Sequence, residues 1–468
     1  MFFTPSNIHY TGGEYVLPHK VTAKANTALC KEIFAELWYN SAYHASVLTV
    51  EPTQEPIFCL GNATPLPLDG KSYAVNITES GICVSADSEK NLLYGFYALL
   101  DCISMTRPGT ASVKTCTFSE KESIACRMAH FCVFPETELW ELERFIRVCA
   151  LLKYSHLIVE FWGMYAYRCE PALSWKMAYT TEEVAPLMRL AHSLGLEIVP
   201  MFNCLGHASA SRVMHGKHVV LDNDPSLQYL FDETGWSWRF GTEPVEALQT
   251  SIRDELCELC GEGEYFHIGC DEIYGFDYSE QSIEAVCTHI NHIAADLRQK
   301  GRKTILWGDM FVHRNATYNP KNQYSAACPS DELAAHMLSL LDKDVIVADW
   351  QYDCNEYPVE TALFIQEHGF TTMLCPWDCS VSKINSCVQT VKKAALHGII
   401  HTTWHTLSRG TLFLGKTARS FYTDAPDERD GNVSIQQTHM AELLRKAYPT
   451  HGEYQKSGWS KIEVRDLV

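Results

Sequence analysis

The chain has 468 residues, 46% hydrophobic and 20% charged, enough for one barrel-sized domain and a smaller one in an ordinary folded protein. Its formal net charge of −19 argues against nucleic acid or an anionic membrane as a partner, since both are bound through basic patches. It contains no apolar run of about 18 residues, the minimum for a membrane-spanning helix, and MFFTPSNIHYTGGEY at its start lacks the basic-then-apolar pattern of a secretory signal.

The 19 cysteines are scattered, many inside apolar runs such as those around Cys204, Cys270 and Cys375. That distribution predicts buried free thiols in a reducing, cytoplasmic compartment rather than a disulfide framework.

In chain order, residues 1–120 carry short alternating runs, Tyr73-Ala74-Val75-Asn76-Ile77 and Gly81-Ile82-Cys83-Val84, followed by an apolar helical stretch over 91–102. Strands followed by a helix predict a small α+β domain. Pro108 and Gly109, in the polar segment 106–110, loosen its connection to the remainder of the chain.

A different rhythm begins near residue 124. Strands are predicted over 124–133, 156–162, 197–204, 265–271, 304–311, 345–351, 371–376 and 399–405. Amphipathic helices are predicted over 137–153, 181–194, 279–300 and 382–397, and Leu248, Ile252, Leu256 and Leu259 mark another. Gly195, Gly301, Gly369 and Gly398 are placed to close helices ahead of strands three, five, seven and eight. Eight strand-then-helix units predict a (β/α)8 TIM barrel, an α/β fold, over residues 121–425. Further helices are expected over 409–422 and 433–447, the second within a helical extension, 426–468, that packs on the barrel.

In such barrels the chemistry sits at the C-terminal strand ends. Strand four ends in His267-Ile268-Gly269-Cys270-Asp271-Glu272, two adjacent carboxylates at the mouth of an apolar run. Like charges in a low dielectric push one pKa up, so one acid can stay protonated while its neighbour stays ionised. Alternation along the strand puts His267, Gly269 and Asp271 on one face, with Glu272 just past the regular pleat. The ends of strands five to eight deliver Trp307 with Asp309, Trp350 with Tyr352, Trp377 with Asp378, and Trp404. Tryptophan faces cover the apolar side of a sugar ring while carboxylates bond its hydroxyls, so the set reads as a carbohydrate pocket. Trp236 and Trp238, in the long loop after strand three, are candidates for its rim or for local loop packing.

With these residues the sequence resembles glycoside hydrolase family 20, the β-N-acetylhexosaminidases, and its Cys before the Asp resembles the hexosaminidase D branch. His267, Gly269, Asp271 and Glu272 match the family's His-x-Gly-x-Asp-Glu motif, and 197–200 through Gly206-His207 resembles its strand-three segment. The resemblance implies an exo-acting, retaining hydrolysis of terminal β-linked GlcNAc or GalNAc, in which the substrate's own acetamide is the nucleophile. Asp271 would polarise the acetamide, and Glu272, kept protonated by burial and its neighbour, would be acid and then base. Arg127 would grip the sugar hydroxyls, His207 would orient the acid, and Trp307 and Trp404 would line the sugar. The acid that pairs with this His in the family falls on Trp162, and Glu160 is the residue that would take its place. The family Tyr after strand seven falls on Asp378, and Tyr352 is the hydroxyl that would substitute. Cys132 stands where an Asp is common.

The partner implied is a small-molecule or oligosaccharide substrate ending in N-acetylhexosamine, with neither nucleic acid nor membrane, and a homodimer left open. No cofactor or metal is expected. Cys257 and Cys260 with His267 and Cys270 have the residue types of a zinc site, but opposite parity on the strand sends His267 and Cys270 to opposite faces. Two rival readings stay open: a barrel glycosidase using two separated carboxylates, Glu272 with Asp309 or Asp378, and a glycan-binding protein without activity.

Overall fold

The strands of the N-terminal region pair into one sheet, in which those over 73–78 and 81–86 are buried along nearly their whole length. Strands β1 (His9–Val16), β2 (Lys20–Asn26), β3 (Val47–Thr53), β4 (Ile57–Gly61), β5 (Tyr73–Thr78), β6 (Gly81–Ala86), β7 (Ser104–Arg107) and β8 (Thr110–Glu120) lie in the order β1-β8-β5-β6-β4-β2-β3, with β7 beside β8. All pairs are antiparallel except β2–β3. Helix α1 (Glu32–Ser41) and helix α2 (Glu89–Cys102) cover it. Residues Leu92 to Asp101 of α2 are buried all round, because this helix is clamped between sheet and barrel. Its Tyr97 hydroxyl donates to the Leu194 carbonyl at 2.8 Å. The buried Lys153 ammonium, 3.1 Å from Glu120 and 2.8 Å from the Tyr73 hydroxyl, ties the two regions again.

The structure, a computed structural model, describes residues 3, 5–209, 219–321, 324–354, 356–377, 381–404, 407, 411–422 and 433–447. Within it the eight expected strands close a parallel barrel: β9 (Cys126–Cys132), β10 (His156–Glu160), β11 (Glu197–Met201), β12 (Tyr265–His267), β13 (Lys303–Trp307), β14 (Ile346–Asp349), β15 (Thr371–Leu374) and β16 (Gly398–Thr402), which returns to β9. Around it run α3 (Leu139–Leu151), α4 (Thr181–Ser193), the short α5 (Val220–Asn223), α6 (Glu243–Cys260), α7 (Glu280–Gln299), α8 (Asp331–Leu340), α9 (Glu360–Glu367), α10 (Val381–Ala394) and α11 (Thr411–Arg419). Helix α12 (Val433–Ala447) packs on α1, α3 and α11. Among the described residues no helix is long and apolar enough to cross a membrane.

The barrel interior is a filled core. Met128, Ile158, Val199, Ile305, Ile346, Met373 and Ile400 occupy its middle, with Trp307 above. Burial of these branched and sulfur-bearing side chains, at roughly 1.5–3 kcal/mol each, holds the strand ends rigid enough to carry a site.

Two details differ from expectation. Gly195, Gly301 and Gly369 adopt the positive φ of a helix-closing residue, but Gly398 does not. Gly398 opens β16, where a Cβ would collide with the Cys126 backbone, and Ala395 (φ 51°) takes the left-handed position after α10. Cys59 and Cys83, directly opposed on β4 and β6, form a disulfide, so the cysteines are not all thiols. The other described cysteines stand outside any disulfide, most of them buried.

Candidate active site

The pleat of strand four ends earlier than its apolar run suggests. β12 stops at His267 because Gly269 (φ 67°), Cys270 (φ 76°) and Glu272 (φ 48°) turn left-handed. The turn is pinned from both sides. Phe202 and Cys204 amides donate to the His267 and Ile268 carbonyls at 3.0 Å, and the Trp307 amide donates to the Gly269 carbonyl at 2.8 Å. Glycine is required at 269, where a Cβ would strike the Asn203 side chain, and at 206, where it would strike the Asp271 carbonyl.

This turn, rather than simple alternation, delivers both carboxylates to the mouth. His207 Nε2, from the loop after β11, lies 3.3 Å from Asp271 Oδ2 and 3.2 Å from Glu272 Oε2. Asp271 is sunk, with 9% of its side chain exposed, while Glu272 keeps 34%. The shielded group suits a fixed charge, and the open one suits proton exchange with water. Trp236 sets its ring 4.6 Å from His207, tilted by 52°, and donates Nε1–H to the Glu272 carbonyl at 2.7 Å. Tyr274 lies flat against Trp236 at 4.7 Å. Its hydroxyl pKa is pushed up by burial and by hydrogen bonding to Glu272.

Asp309 closes the site from below. Its Oδ2 accepts the Glu272 amide at 3.0 Å and its Oδ1 accepts the Trp350 indole N–H at 3.2 Å. Burial, then the charges of Asp271 and Glu272, raise its pKa to about 8. Its two oxygens thus hold the Glu272 backbone and the Trp350 ring in place. Between about pH 4 and about 8 the folded chain keeps a proton on Asp309 that the unfolded chain has released, so this group makes stability fall as pH rises through that window. Asp309→Asn should lose less stability than the parent between pH 5 and pH 8, read from urea midpoints at both; equal losses would remove the argument.

The aromatic residues form a connected wall. Trp350, Tyr352, Trp377 and Trp404 are half-buried at the mouth. Tyr352 sits 5.1 Å from Trp350 and 5.2 Å from Trp377, ring to ring. Its hydroxyl accepts Trp404 Nε1–H at 2.8 Å and is 2.9 Å from Thr402 Oγ1. Trp307 differs from expectation: it is fully buried, 4.1 Å from the His267 ring and 5.9 Å from Trp404, and so is floor rather than lining. Beyond Glu272 a cleft of about 710 Å³ opens between Tyr274, Arg314, Tyr324, Trp350 and Asp353. Asp378 lies outside the described residues. Trp238 is packed on Phe231 at 4.5 Å and bonds the Asn203 carbonyl, which makes it loop core, not rim.

Arg127 is not in the site. Cys126 and Met128 face the barrel interior, so Arg127 faces outward, about 16 Å below the end of β9. Its guanidinium donates to the carbonyls of Ile124, Ala125 and Lys153 at 2.9–3.0 Å and lies over Tyr94, 5.0 Å from the ring centre. Arg127→Leu should cost about 2–4 kcal/mol of stability by stranding these carbonyls, and leave KM unchanged; a raised KM at full stability would restore a substrate role.

Glu160 does not pair with His207 either. Its Oε2 lies 3.2 Å from His130 Nε2 and 3.3 Å from Cys132 Sγ, and Asn203 donates to Oε1. Trp162, at φ 48°, packs edge-on to Phe134. The sequence reading missed His130 and Tyr274; alternation with Cys132 along β9 was the available signal for the first. Cys257 and Cys260 end α6, and the groups of metal-ligating type among the described residues are His130–Cys132–Glu160 and His207–Asp271–Glu272.

Comparison with known proteins places this arrangement. Among curated proteins, hexosaminidase D of Bos taurus is 23% identical over 243 residues, 48% of this chain and 62% of that protein. A β-N-acetylhexosaminidase of Cellulomonas fimi is 22% identical over 268 residues, 52% of this chain and 51% of that protein. The chain thus spans between half and two thirds of these relatives' length. Among solved structures, a Vibrio harveyi exo-β-N-acetylglucosaminidase bound to N-acetylglucosamine superposes with TM-score 0.69 at 13% identity, over 95% of this chain and 77% of that one. Flavobacterium johnsoniae chitobiase superposes with TM-score 0.71 at 16% identity, over 96% of this chain and 72% of that one. These two likenesses show the fold. The model of the glycosyl hydrolase family 20 catalytic domain matches residues 154–405, more than half of the sequence and all but the first barrel strand, and the chain belongs to that family.

Proposed function

We propose that this chain is an exo-acting, retaining β-N-acetylhexosaminidase in which the substrate's 2-acetamido oxygen attacks the anomeric carbon. The observation that carries the reading is the convergence of Asp271 and Glu272 on one imidazole at the barrel mouth. Two carboxylates so close leave no room between them for a sugar and a separate water, as an inverting pair would need. They can act side by side on one face instead. Asp271 receives the acetamide N–H and steadies the positive charge that develops on the cyclising amide. Glu272 gives its proton to the leaving oxygen, then takes one from the water that opens the oxazoline ring. The bond from anomeric carbon to aglycone breaks as the acetamide oxygen closes on that carbon, and water restores the amide, so configuration is retained.

The test is inhibition by N-acetylglucosamine thiazoline, a stable mimic of the cyclised intermediate. It should bind at least about 10²-fold more tightly than an aryl N-acetylglucosaminide. Indifference to it, in an active enzyme, would favour a two-carboxylate mechanism; sugar binding without hydrolysis of any N-acetylhexosaminide would favour a lectin-like role.

A further inference from the structure

Three side chains with donor atoms suited to transition metals meet inside the barrel mouth, apart from the Asp271–Glu272 pair. His130 and Cys132 project inward from β9, and Glu160, paired with Cys132 in the parallel ladder, projects from β10. His130 Nε2 and Cys132 Sγ both approach Glu160 Oε2, at 3.2 and 3.3 Å, and stand 3.9 Å from each other. A tetrahedral ion with bonds of about 2.1 Å to nitrogen and oxygen and about 2.3 Å to sulfur holds neighbouring donor atoms about 3.3–3.6 Å apart. The triangle differs from that tetrahedral face by only a few tenths of an ångström per edge. We propose that His130, Cys132 and Glu160 bind one zinc-like dication, a site distinct from the catalytic carboxylates and beyond the proposed hydrolysis.

Charge supports this assignment. All three residues are almost fully buried, where an anion is costly unless it is compensated. A Cys132 thiolate and a Glu160 carboxylate neutralise a dication, and a neutral His130 completes the set. Binding exchanges the thiol proton for the metal and releases that proton to solvent, with no change of oxidation state. Nitrogen and sulfur donors exclude calcium and magnesium. The carboxylate is also oriented from outside, since Asn203 donates to its second oxygen, as second partners of metal ligands do. Asn203 is in turn wedged against Gly269 of the catalytic turn, and the Trp404 ring lies 4.5 Å from His130. An ion here would brace the pocket floor.

The test uses the full chain, stripped with a chelator and titrated with cobalt(II) in a phosphine reductant. We expect a thiolate-to-cobalt charge-transfer band that saturates at about one equivalent, is bleached by zinc, and is accompanied by a higher melting temperature. Cys132→Ser should abolish the band and Cys257→Ser should keep it. If Cys132→Ser fails to fold, Glu160→Gln, which keeps shape and thiol, should weaken cobalt binding at least about tenfold. Absence of the band in the parent, its survival in Cys132→Ser, or unchanged affinity in Glu160→Gln would each overturn the site. None of these readouts needs hydrolysis, so they stand whether or not the glycosidase reading holds.

Discussion

Glu272→Gln is expected to lower kcat/KM for a β-linked N-acetylglucosaminyl disaccharide by about 10³- to 10⁴-fold, the upper range for loss of one general acid and base. The effect should depend on the leaving group. A sugar alkoxide cannot depart without a proton, whereas a nitrophenolate can, so an aryl substrate should keep a larger share of its first step. Water attack on the oxazoline still needs a base, so with the aryl substrate the intermediate should accumulate and KM should fall along with kcat. The backbone of Glu272 gives no reason for the variant to misfold. Its amide is held by Asp309 and its carbonyl by Trp236, neither through the substituted carboxyl. Steady-state kinetics on one disaccharide and two aryl glycosides of different leaving-group acidity would decide it. A loss below about tenfold on the disaccharide would remove Glu272 from the acid role.

The barrel was legible because its signal is long and repetitive. Eight apolar runs at strand length, separated by amphipathic helices, leave few other solutions, and every run became a strand. Helices α8 and α9 were not singled out, being 10 and 8 residues long with short apolar faces. The errors arose where backbone conformation or facing decides the outcome. The left-handed turn runs through Gly269, Cys270 and Glu272; the lone glycine inside the apolar run was its one sequence signal, and the two non-glycine residues gave none. Arg127 was carried over by residue type, yet its odd position against Cys126 and Met128 turns it to the helix side of the barrel. Glu160 and Trp307 were assigned to the correct strands, but both are buried, Glu160 against His130 and Cys132 and Trp307 against His267. Inward strand residues form stacked layers, and only the topmost meets a ligand.

Asp271→Asn tests the electrostatic half of the mechanism, and should reduce kcat by about 10²–10³-fold, as expected for removal of one preorganised stabilising group. The substitution preserves shape and can still accept a hydrogen bond from the acetamide. What it removes is the negative charge, set in a shielded position 3.3 Å from His207. The charge matters most where positive charge develops, on the cyclising amide, so the losses should be unequal. Affinity for N-acetylglucosamine, a neutral ground-state ligand, should change little, while affinity for the thiazoline, whose protonated form resembles the intermediate, should fall nearly in step with kcat. Inhibition constants for the two ligands separate this from a packing defect, which would weaken both ligands alike. Equal weakening of N-acetylglucosamine and thiazoline would mean that Asp271 shapes the pocket without serving the charge of the intermediate.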